Sequence, residues 1–408
     1  MIERKLIVIT NDLPWPPRYG HKVDQFHRWK GFAERGWRLR LICWRSPLDP
    51  PSSHEDVDAL SGVFETIDVL PIGHGVLPFA RRLALLPRWP SHVAARIPSR
   101  RTLARLIAEA WAFAPDAVVQ ENIYGAELGN RLAKACRVPT ILRGQNVEHV
   151  YFAQQARAAR DLRSRLAWTI ARAGLARWEE KVTRDAALSL QISARDEAFW
   201  RARGIDRIAW APTIYPGPEH GTLVPAAGKA FDVAYIGNMR LPNNLQGLGW
   251  FVHDVLPALR ALRPGVQLCF AGADPSPQAR ALFAAAPEIT LVPDARSADA
   301  ILAQGRVLVN PILSGSGVNV KSIDMLRYDA PIVTTSIGAQ GFGSQIDGQF
   351  IVRDDAQGFA EAIVTALADP QAPPGRAQAR ALFGEAGLDA QIAMVERAIT
   401  AWPSRAAI

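Results

Sequence analysis

Cysteine is scarce in this 408-residue chain, which contains only Cys43, Cys136 and Cys269, widely separated. An odd number of distant cysteines argues against a disulfide framework and favours a reducing compartment. The chain also lacks any apolar run close to the roughly 18–20 residues that span a bilayer. Its first residues, Met-Ile-Glu-Arg-Lys, lead into a short strand and show no signal-peptide pattern. We therefore predict a cytoplasmic protein.

Basic residues outnumber acidic ones, 47 against 39, for a formal net charge of +8. Such an excess favours a polyanionic partner or an anionic surface, and both nucleic acid and membrane fit the charge. A nucleic-acid-binding protein would be expected to show a recognition helix, a zinc site or an aromatic-rich strand. None is recognisable, and the twelve tryptophans are scattered. We predict no nucleic-acid partner, although a basic regulatory protein stays open as an alternative.

Residues 76–105 form a basic amphipathic stretch. Apolar side chains that could enter a lipid headgroup layer alternate with arginines that could meet anionic lipid. An ordinary helix packed on the domain core, with a solvated basic face, is the slightly favoured explanation of the same pattern. The stretch therefore leaves open a peripheral position on the inner face of the membrane. Its apolar members are Leu77, Phe79, Leu83, Leu86 and Trp89, and its later arginines are Arg96, Arg100, Arg101 and Arg105.

The chain is too long for one ordinary core, so two domains are expected. Short β-branched runs alternate with longer helical stretches, which predicts parallel sheets built from βαβ units. A proline-rich segment without periodicity, residues 210–229, indicates a linker. We predict an α/β protein with domains at residues 1–212 and 213–387, in which a final helix at 388–408 could rejoin the first. The expected strands are residues 6–10, 38–44, 117–121, 140–143, 188–193, 232–237, 266–272, 289–292, 307–310 and 332–335.

The most informative segment follows the expected strand at residues 307–310. Gly315, Ser316, Gly317 and Val318 form a small-residue turn before a short helical segment. A glycine turn of this kind exposes backbone N–H groups to an anion. Lys321 adds a full positive charge, and the Asp324 carboxylate can accept hydrogen bonds from hydroxyls. This order of groups suits a diphosphate followed by sugar or ribose hydroxyls.

A second turn follows the expected strand at residues 232–237. It runs through Gly237 and Asn238 to Arg240, just before the next helix. The Arg240 guanidinium could neutralise a phosphate that becomes a leaving group. In the first domain, Gly20 and Lys22 follow the first strand. Asn146 and Glu148 follow the strand at residues 140–143, so all four are candidates for a site beyond the carboxyl ends of these strands.

These motifs resemble those of the group 1 glycosyltransferases. Residues 236–244 are similar to the family's "G-x-M-x-x-x-P-N", with one residue fewer before the proline. Residues 311–324 resemble "P-x-x-x-G-S-G-x-x-x-K-x-x-E", and residues 329–341 resemble "G-x-P-V-V-x-T-x-x-G-x-x-G". Residues 143–148 and 193–196 resemble the family's "R-x-H-N-x-E" and "S-x-x-D" more weakly. The resemblance implies two Rossmann-like domains facing each other across a cleft, the GT-B arrangement.

The resemblance also implies a function and roles for residues. It implies retaining, metal-independent transfer of a sugar from a UDP-, GDP- or similar sugar nucleotide to a saccharide, lipid-linked or other glycoconjugate acceptor, for example in polysaccharide biosynthesis. The nucleotide sugar is then a substrate, and no cofactor is expected. Arg240 and Lys321 would stabilise charge on the departing diphosphate. The donor would also contact Gly237, Asn238, Gly315, Ser316, Gly317, Val318 and Asp324. The acceptor side would contain Gly20, Lys22, Asn146 and Glu148.

Three departures from the family pattern keep a second interpretation open. Ser316 and Asp324 stand where many relatives have paired glutamates, and Gln145 stands where relatives have histidine. A degenerate protein that binds nucleotide without efficient turnover would show such changes. Asp56-Val-Asp58 is a tripeptide that metal-dependent glycosyltransferases of another fold use. Here it lacks a preceding strand, so we predict no metal site.

Overall fold

The computed structural model describes residues 3–17, 20–45, 54–73, 75–85, 96–159, 161–215, 228–272, 275–295, 298–315 and 317–403. The chain divides into two compact units, Met1–Ile214 with Gly387–Ile408 as unit 1 and Tyr215–Ala386 as unit 2. The sequence analysis placed the corresponding boundaries at residues 212/213 and 387/388. Within the described ranges, each helix is too short or too polar to cross a bilayer.

In unit 1, the described strands form one parallel sheet of seven, ordered β3-β2-β1-β4-β5-β6-β7. The strands are β1 (Lys5–Thr10), β2 (Arg38–Arg45), β3 (Thr66–Pro71), β4 (Ala117–Gln120), β5 (Thr140–Gly144), β6 (Leu188–Gln191) and β7 (Ile208–Trp210). The helices are α1 (Gly20–Glu34), α2 (His54–Ser61), α3 (Val76–Ala84), α4 (Arg100–Phe113), α5 (Ala126–Cys136), α6 (Glu148–Ala158), α7 (Leu162–Arg172), α8 (Leu175–Asp185) and α9 (Ala194–Arg201).

The central strand β1 shows why this sequence gives a doubly wound unit. Leu6 and Val8 face one apolar core, and Ile7 and Ile9 face another on the opposite side of the sheet. A parallel strand covered by helices on both faces needs apolar residues at every position instead of at alternate ones. The run Leu-Ile-Val-Ile meets that requirement, so β1 lies at the centre of unit 1.

In unit 2, the described strands form a second parallel sheet of six, ordered β10-β9-β8-β11-β12-β13. The strands are β8 (Phe231–Ile236), β9 (Leu268–Gly272), β10 (Ile289–Pro293), β11 (Gly305–Asn310), β12 (Ile332–Thr334) and β13 (Ile351–Val352). The helices are α10 (Pro242–Trp250), α11 (Leu256–Leu262), α12 (Pro277–Ala284), α13 (Ala298–Leu302), α14 (Val320–Leu326), α15 (Ala356–Ala368) and α16 (Arg376–Ala381), and a last helix, α17 (Glu385–Ala401), begins at the end of unit 2 and lies mostly in unit 1. A π-helical turn, Phe251–Val255, joins α10 to α11.

The last helix, α17, returns to the first unit. Leu388, Ile392 and Val395 belong to the same apolar core as Leu6 and Val8. The Gln391 side chain donates a hydrogen bond of 2.7 Å to the Pro212 carbonyl. The C-terminal helix therefore closes the core of unit 1.

Each sheet contains one point where the strand order reverses. In unit 2 this point lies between the adjacent strands β8 and β11, and in unit 1 it lies between β1 and β4. Ligands of doubly wound sheets bind beyond the carboxyl ends of strands at such a point. The turns after β8 and β11 are those that carry Gly237 and Gly315. The two predicted donor motifs therefore share the favoured binding position of unit 2.

The predicted α/β class with two doubly wound units is confirmed. All ten expected strands are present, with ends displaced by no more than two residues. The helical region at residues 148–185 is interrupted twice, before α7 and before α8. Asp161 caps α7 by accepting the Ser164 N–H, and Gly174 has a φ of +68° before α8. The linker was expected at residues 210–229, of which 216–227 lie outside the described residues.

Candidate functional site

Gly237, directly after β8, occupies a position with no room for a side chain. A Cβ there would lie 2.3 Å from the Tyr235 hydroxyl and 3.2 Å from Lys321 Cδ. From the other side, a Cβ on Gly272 would lie 1.8 Å from the Gly237 carbonyl oxygen. Only glycine lets the backbone pass between these neighbours. The close approach also places the turn after β8 against the Lys321 side chain.

Lys321 is a largely enclosed cation of unit 2. The side chain of Asn319 caps α14 by accepting the Lys321 N–H at 3.2 Å. The Lys321 ammonium donates to Asn244 Oδ1 at 2.8 Å and to the Tyr235 hydroxyl at 3.3 Å. Burial lowers the pKa of Lys321 to about 7, because a charged amine loses hydration there. A neighbouring anion would restore its charge.

Asn244 connects Lys321 to the turn after β8. Its Oδ1 accepts from Lys321, while its Nδ2 donates to the Asn238 carbonyl at 2.7 Å. Asn238 Oδ1 in turn accepts the Arg240 N–H at 2.9 Å. The backbone of Gly237, Asn238 and Arg240 is therefore held close to Lys321, while the Arg240 side chain is exposed. The sequence analysis did not include Asn244 among the site residues, although Pro242-Asn-Asn244 belonged to the motif.

The turn after β11 carries the other predicted donor residues. Gly315 is exposed, Gly317 has a φ of +69° that favours glycine, and Val318 is partly buried. Ser316 lies outside the described residues. Gln340 Nε2 donates to the Gly315 carbonyl at 3.4 Å. This hydrogen bond connects the turn after β11 to the small-residue loop that follows β12.

A buried polar network fixes α14 against the sheet. Asn310, the last residue of β11, donates from Nδ2 to Ser322 Oγ at 3.0 Å. The Ser322 hydroxyl donates to the Gly338 carbonyl at 2.7 Å. Both side chains are buried, where a lost partner is costly. The network holds Lys321, next to Ser322, in a defined place.

Asp324 is buried one turn further along α14. Burial raises the pKa of the Asp324 carboxyl to about 6, against the opposing effects of Arg327 and the Tyr215 hydroxyl. Arg327 donates to Asp324 Oδ1 at 3.2 Å. The carboxylate thus has protein partners, and Arg327 and Tyr215 are neighbours that the sequence analysis missed. The i,i+3 spacing of Asp324 and Arg327 could have indicated this pair. A role for Asp324 toward ribose hydroxyls stays a prediction.

In unit 1, the predicted residues lie at the carboxyl ends of two strands. Gly20 begins α1, and Lys22 pairs with Asp12 at 3.2 Å just after β1. Asn146 and Glu148 follow β5 and line one recess with Gln145. Because β4 lies between β1 and β5 in the sheet, the two groups flank the point where the strand order reverses.

Glu148 has a buried carboxyl group in this recess. Burial raises its pKa to about 7, although hydrogen bonds from Tyr124 and Asn146 favour the ionised form. The Tyr124 hydroxyl donates to Glu148 Oε2 at 2.8 Å. The Arg96 guanidinium lies 5.1 Å from the Tyr124 ring centroid and hydrogen-bonds Asn11 Oδ1. Arg96 and Tyr124 therefore link the ends of β1 and β5, and the sequence analysis assigned neither to a site.

The basic stretch at residues 76–105 is described only in part. Leu77 is exposed on α3, while Leu86, Trp89 and the side chain of Phe79 lie outside the described residues. Arg105 pairs with Asp68 at 2.9 Å and with Glu109 at 2.8 Å. Together with Arg96, two of the four expected lipid-facing arginines thus have partners within the protein.

Metal ligands do not cluster in the described part of the chain. There, no three His, Cys, Asp or Glu side chains come together as a metal site would require. The two aspartates of the Asp-x-Asp tripeptide, Asp56 and Asp58, lie on α2. The side chain of Asp56 lies outside the described residues.

The close packing at Gly237 gives a stability prediction. Gly237→Ala is expected to lower the free energy of unfolding by about 1–3 kcal/mol, since the methyl group would overlap the Tyr235 hydroxyl. Gly249→Ala is the matched control on α10, where a Cβ meets nothing within 4 Å. This change is expected to be neutral or stabilising by up to about 1 kcal/mol. Thermal unfolding measures both, and equal shifts for the two variants would contradict the packing described.

Comparison with known proteins adds evidence from sequence and from fold. Residues 230–369 match the family model described as glycosyl transferases group 1. An uncharacterized 44.6 kDa protein in the cps region of Klebsiella pneumoniae is 24% identical over 375 residues, covering 88% of this chain and 90% of that protein.

Two solved structures share the fold over almost the whole chain. Sucrose-phosphate synthase from Thermosynechococcus elongatus superposes with a TM-score of 0.62 at 15% identity, covering 98% of this chain and all of that one. Anabaena HepE in complex with UDP gives a TM-score of 0.61 at 12% identity, covering 97% and 99%. The family match contains both loops of the unit 2 site. Residues 230–369 therefore form a domain of the group 1 glycosyl transferases, and the whole chain has two Rossmann-like units of the GT-B fold.

Proposed function

We propose that this enzyme transfers a sugar from a nucleotide-sugar donor to a saccharide, lipid-linked or other glycoconjugate acceptor. The observation that carries the proposal is the buried Lys321 ammonium, held 2.8 Å from Asn244 between the turns after β8 and β11. A poorly hydrated cation at the strand-order reversal suits a diphosphate. HepE, of similar fold, has been crystallised with UDP and with UDP-glucose.

The proposed chemistry is transfer with retention of anomeric configuration. The bond from the sugar's anomeric carbon to the diphosphate oxygen breaks, and a bond to the acceptor hydroxyl oxygen forms on the same face. The hydroxyl proton passes to the departing diphosphate. Lys321 and Arg240 stabilise the negative charge that develops there, and loop amides at Gly315 and Gly317 assist. The predicted acceptor-side residues Gly20, Lys22, Asn146 and Glu148 would receive the acceptor.

A nucleotide panel tests the proposal. UDP, GDP and dTDP, with their common sugars, are compared for their effect on thermal unfolding. At a ligand concentration of about 100 times Kd, stabilisation of about 2.7 kcal/mol is expected from the matching nucleotide. Stabilisation by none of them, together with stabilisation by an oligonucleotide, would favour the basic regulatory alternative and contradict our proposal.

The lowered pKa of Lys321 predicts a pH-dependent donor affinity. A bound diphosphate raises that pKa above its free value of about 7, so binding takes up a proton. The affinity for the donor is then greatest below pH 7 and falls as the pH rises. Between about pH 6.5 and about pH 8.5, the affinity for UDP-glucose should fall by about tenfold.

UDP-glucose is the suitable probe because its diphosphate diester does not titrate in this range. Calorimetry in buffers of different ionisation enthalpy measures both the affinity and the proton uptake. Lys321→Met should bind more weakly and show a flat profile. A flat profile for the unchanged enzyme would contradict the role of Lys321.

The degenerate alternative rests on Ser316, Asp324 and Gln145, and it draws support from the Asp324 carboxylate, which already has Arg327 and Tyr215 as partners. It predicts nucleotide binding without release of sugar. Hydrolysis of the best-binding nucleotide sugar separates the two interpretations, since an active transferase should release its nucleotide slowly even in water. Independence from metal, a cytoplasmic location and membrane attachment through residues 76–105 stay predictions.

A further inference from the structure

A second cationic site lies in unit 1, in a cavity of about 790 Å³ between α6, α7 and α8. Three arginines line it: Arg157 in the last turn of α6, Arg172 in the last turn of α7 and Arg177 in the first turn of α8. Among the residues that the structure describes, no Asp or Glu lines this cavity. His149 also lines it and directly follows Glu148, so the cavity adjoins the predicted acceptor side.

All three arginines are exposed, and their side chains have no partner among the residues that the structure describes. Within the described chain, none of them forms an ion pair or a hydrogen bond. Two nearby arginines of unit 1 are paired: Arg184, near the far end of α8, binds Glu180 at 2.8 Å, and Arg201 on α9 binds Glu197 at 2.6 Å. Three unpaired guanidinium groups around one cavity repel each other, and an anion between them would remove that repulsion.

The position of Arg177 does not contribute to the stability of the fold, in contrast to the positions of the other two arginines. Arg157 and Arg172 stand near helix C-termini, where a cation is favourable by about 0.3–1 kcal/mol. Arg177 stands in a first helical turn, where the same effect is unfavourable. That turn contains no acidic residue, and its N-cap, Gly174, offers no side chain to its amides. The arrangement is destabilising alone and becomes favourable with a bound anion.

The outer face of α7 is apolar. Leu162 and Leu166, one helical turn apart, are 83% and 60% exposed. The opposite face packs inward, since Trp168 and Ala171 lie against the apolar core around Leu175. Exposed arginines at positions 163 and 165 flank the two leucines. An outward apolar ridge bordered by cations is typical of a helix that lies in a lipid headgroup layer.

We propose that this cavity binds the phosphate or diphosphate ester of a membrane lipid that carries the acceptor, with α7 against the membrane. Guanidinium groups suit such esters because they form charge-assisted, bidentate hydrogen bonds with phosphate oxygens. The lipid chain would extend along Leu162 and Leu166 into the bilayer. The assignment of the lipid as acceptor rests on the function proposed above, whereas the binding itself does not.

Calorimetric titration with farnesyl diphosphate, inorganic diphosphate and farnesol tests the site. The variant Arg157→Gln/Arg172→Gln/Arg177→Gln should bind farnesyl diphosphate about tenfold or more weakly, since three charge-assisted contacts are lost. The control Lys30→Gln/Lys134→Gln/Arg137→Gln removes the same charge from exposed positions of unit 1, and it should stay within about twofold of the unchanged enzyme. Leu162→Ser/Leu166→Ser should weaken the binding of farnesyl diphosphate and leave the binding of inorganic diphosphate unaffected.

Each of the other possible results of these titrations contradicts one part of the proposal. Equal loss in both triple variants, or no loss in either, would remove the arginine site. Inorganic diphosphate binding as tightly as farnesyl diphosphate would show a site for free phosphate. Farnesol binding as tightly would show an apolar groove without anion recognition. Stabilisation by UDP-glucose, measured in parallel, should be equal in all these variants, and its absence from the unchanged enzyme would overturn only the proposed function.

Discussion

Replacing Lys321 with alanine is expected to lower kcat/KM for sugar transfer by about 100-fold or more. The Lys321 ammonium lies against Asn244 and Tyr235 in a poorly hydrated position. If it is removed, water cannot stabilise the charge of the departing diphosphate in its place. Preorganised charge of this kind is typically worth about 3 kcal/mol in the transition state. Because the diphosphate is more negative as it departs than in the donor, the loss should be mainly in kcat.

Nucleotide release from the matching sugar donor measures this effect, with thermal unfolding as a check on folding. Lys134→Ala is the control, because Lys134 is exposed on α5 in the other unit. It should keep normal turnover. Normal turnover by Lys321→Ala would show that the buried lysine serves packing alone.

Replacing Asp24 with alanine is expected to destabilise unit 1 by about 3–5 kcal/mol. Asp24 belongs to a buried four-residue cluster with Arg28, Glu121 and Arg143, which we call the Asp24 cluster. Arg143 donates to Asp24 Oδ2 at 3.0 Å, and Arg28 donates to both oxygens of Glu121 at 2.9 Å. Burial alone would raise the pKa of Asp24, but Arg143 and Arg28 hold it below its usual value. Removing Asp24 leaves two buried cations with one carboxylate.

The change also removes the acceptor of the Ile214 N–H, 3.1 Å from Asp24 Oδ1, at the end of unit 1's first segment. Asp389→Ala is the matched control, since it breaks the surface ion pair with Arg35 and should cost less than about 1 kcal/mol. Native-state hydrogen exchange of β1, β4 and β5 resolves unit 1 from unit 2. Equal losses for the two variants would mean that the Asp24 cluster contributes no more than a surface pair.

The strands that sequence reasoning missed share a position in the fold. β3, β7 and β13 are sheet edges, each with one neighbouring strand. β7 has three residues and β13 has two, and β3 ends at Pro71. Edge strands are buried on fewer sides, so their sequences need no continuous apolar run. Central strands such as β1 and β11 require one, which is why they could be predicted.

The site was predictable where the backbone determines it and less so where side chains from distant segments meet. Gly237 and the Gly-Ser-Gly turn follow strands, and their position comes from the sheet topology. The partner of Lys321 is Asn244, 77 residues earlier, and no local pattern indicates that contact. The same limit applies to Tyr124 with Glu148, and to the three arginines of the unit 1 cavity, which come from three different helices.

Hydrogen exchange with and without the matching nucleotide sugar tests the central claim most directly. We predict protection confined to unit 2, at the turn after β8 that contains Gly237 and Arg240 and at the turn after β11 that leads to Lys321. Lys321→Met should reduce the protection at both turns. Protection elsewhere in the chain, or no protection with any UDP-, GDP- or dTDP-sugar, would contradict a nucleotide-sugar site at these two turns.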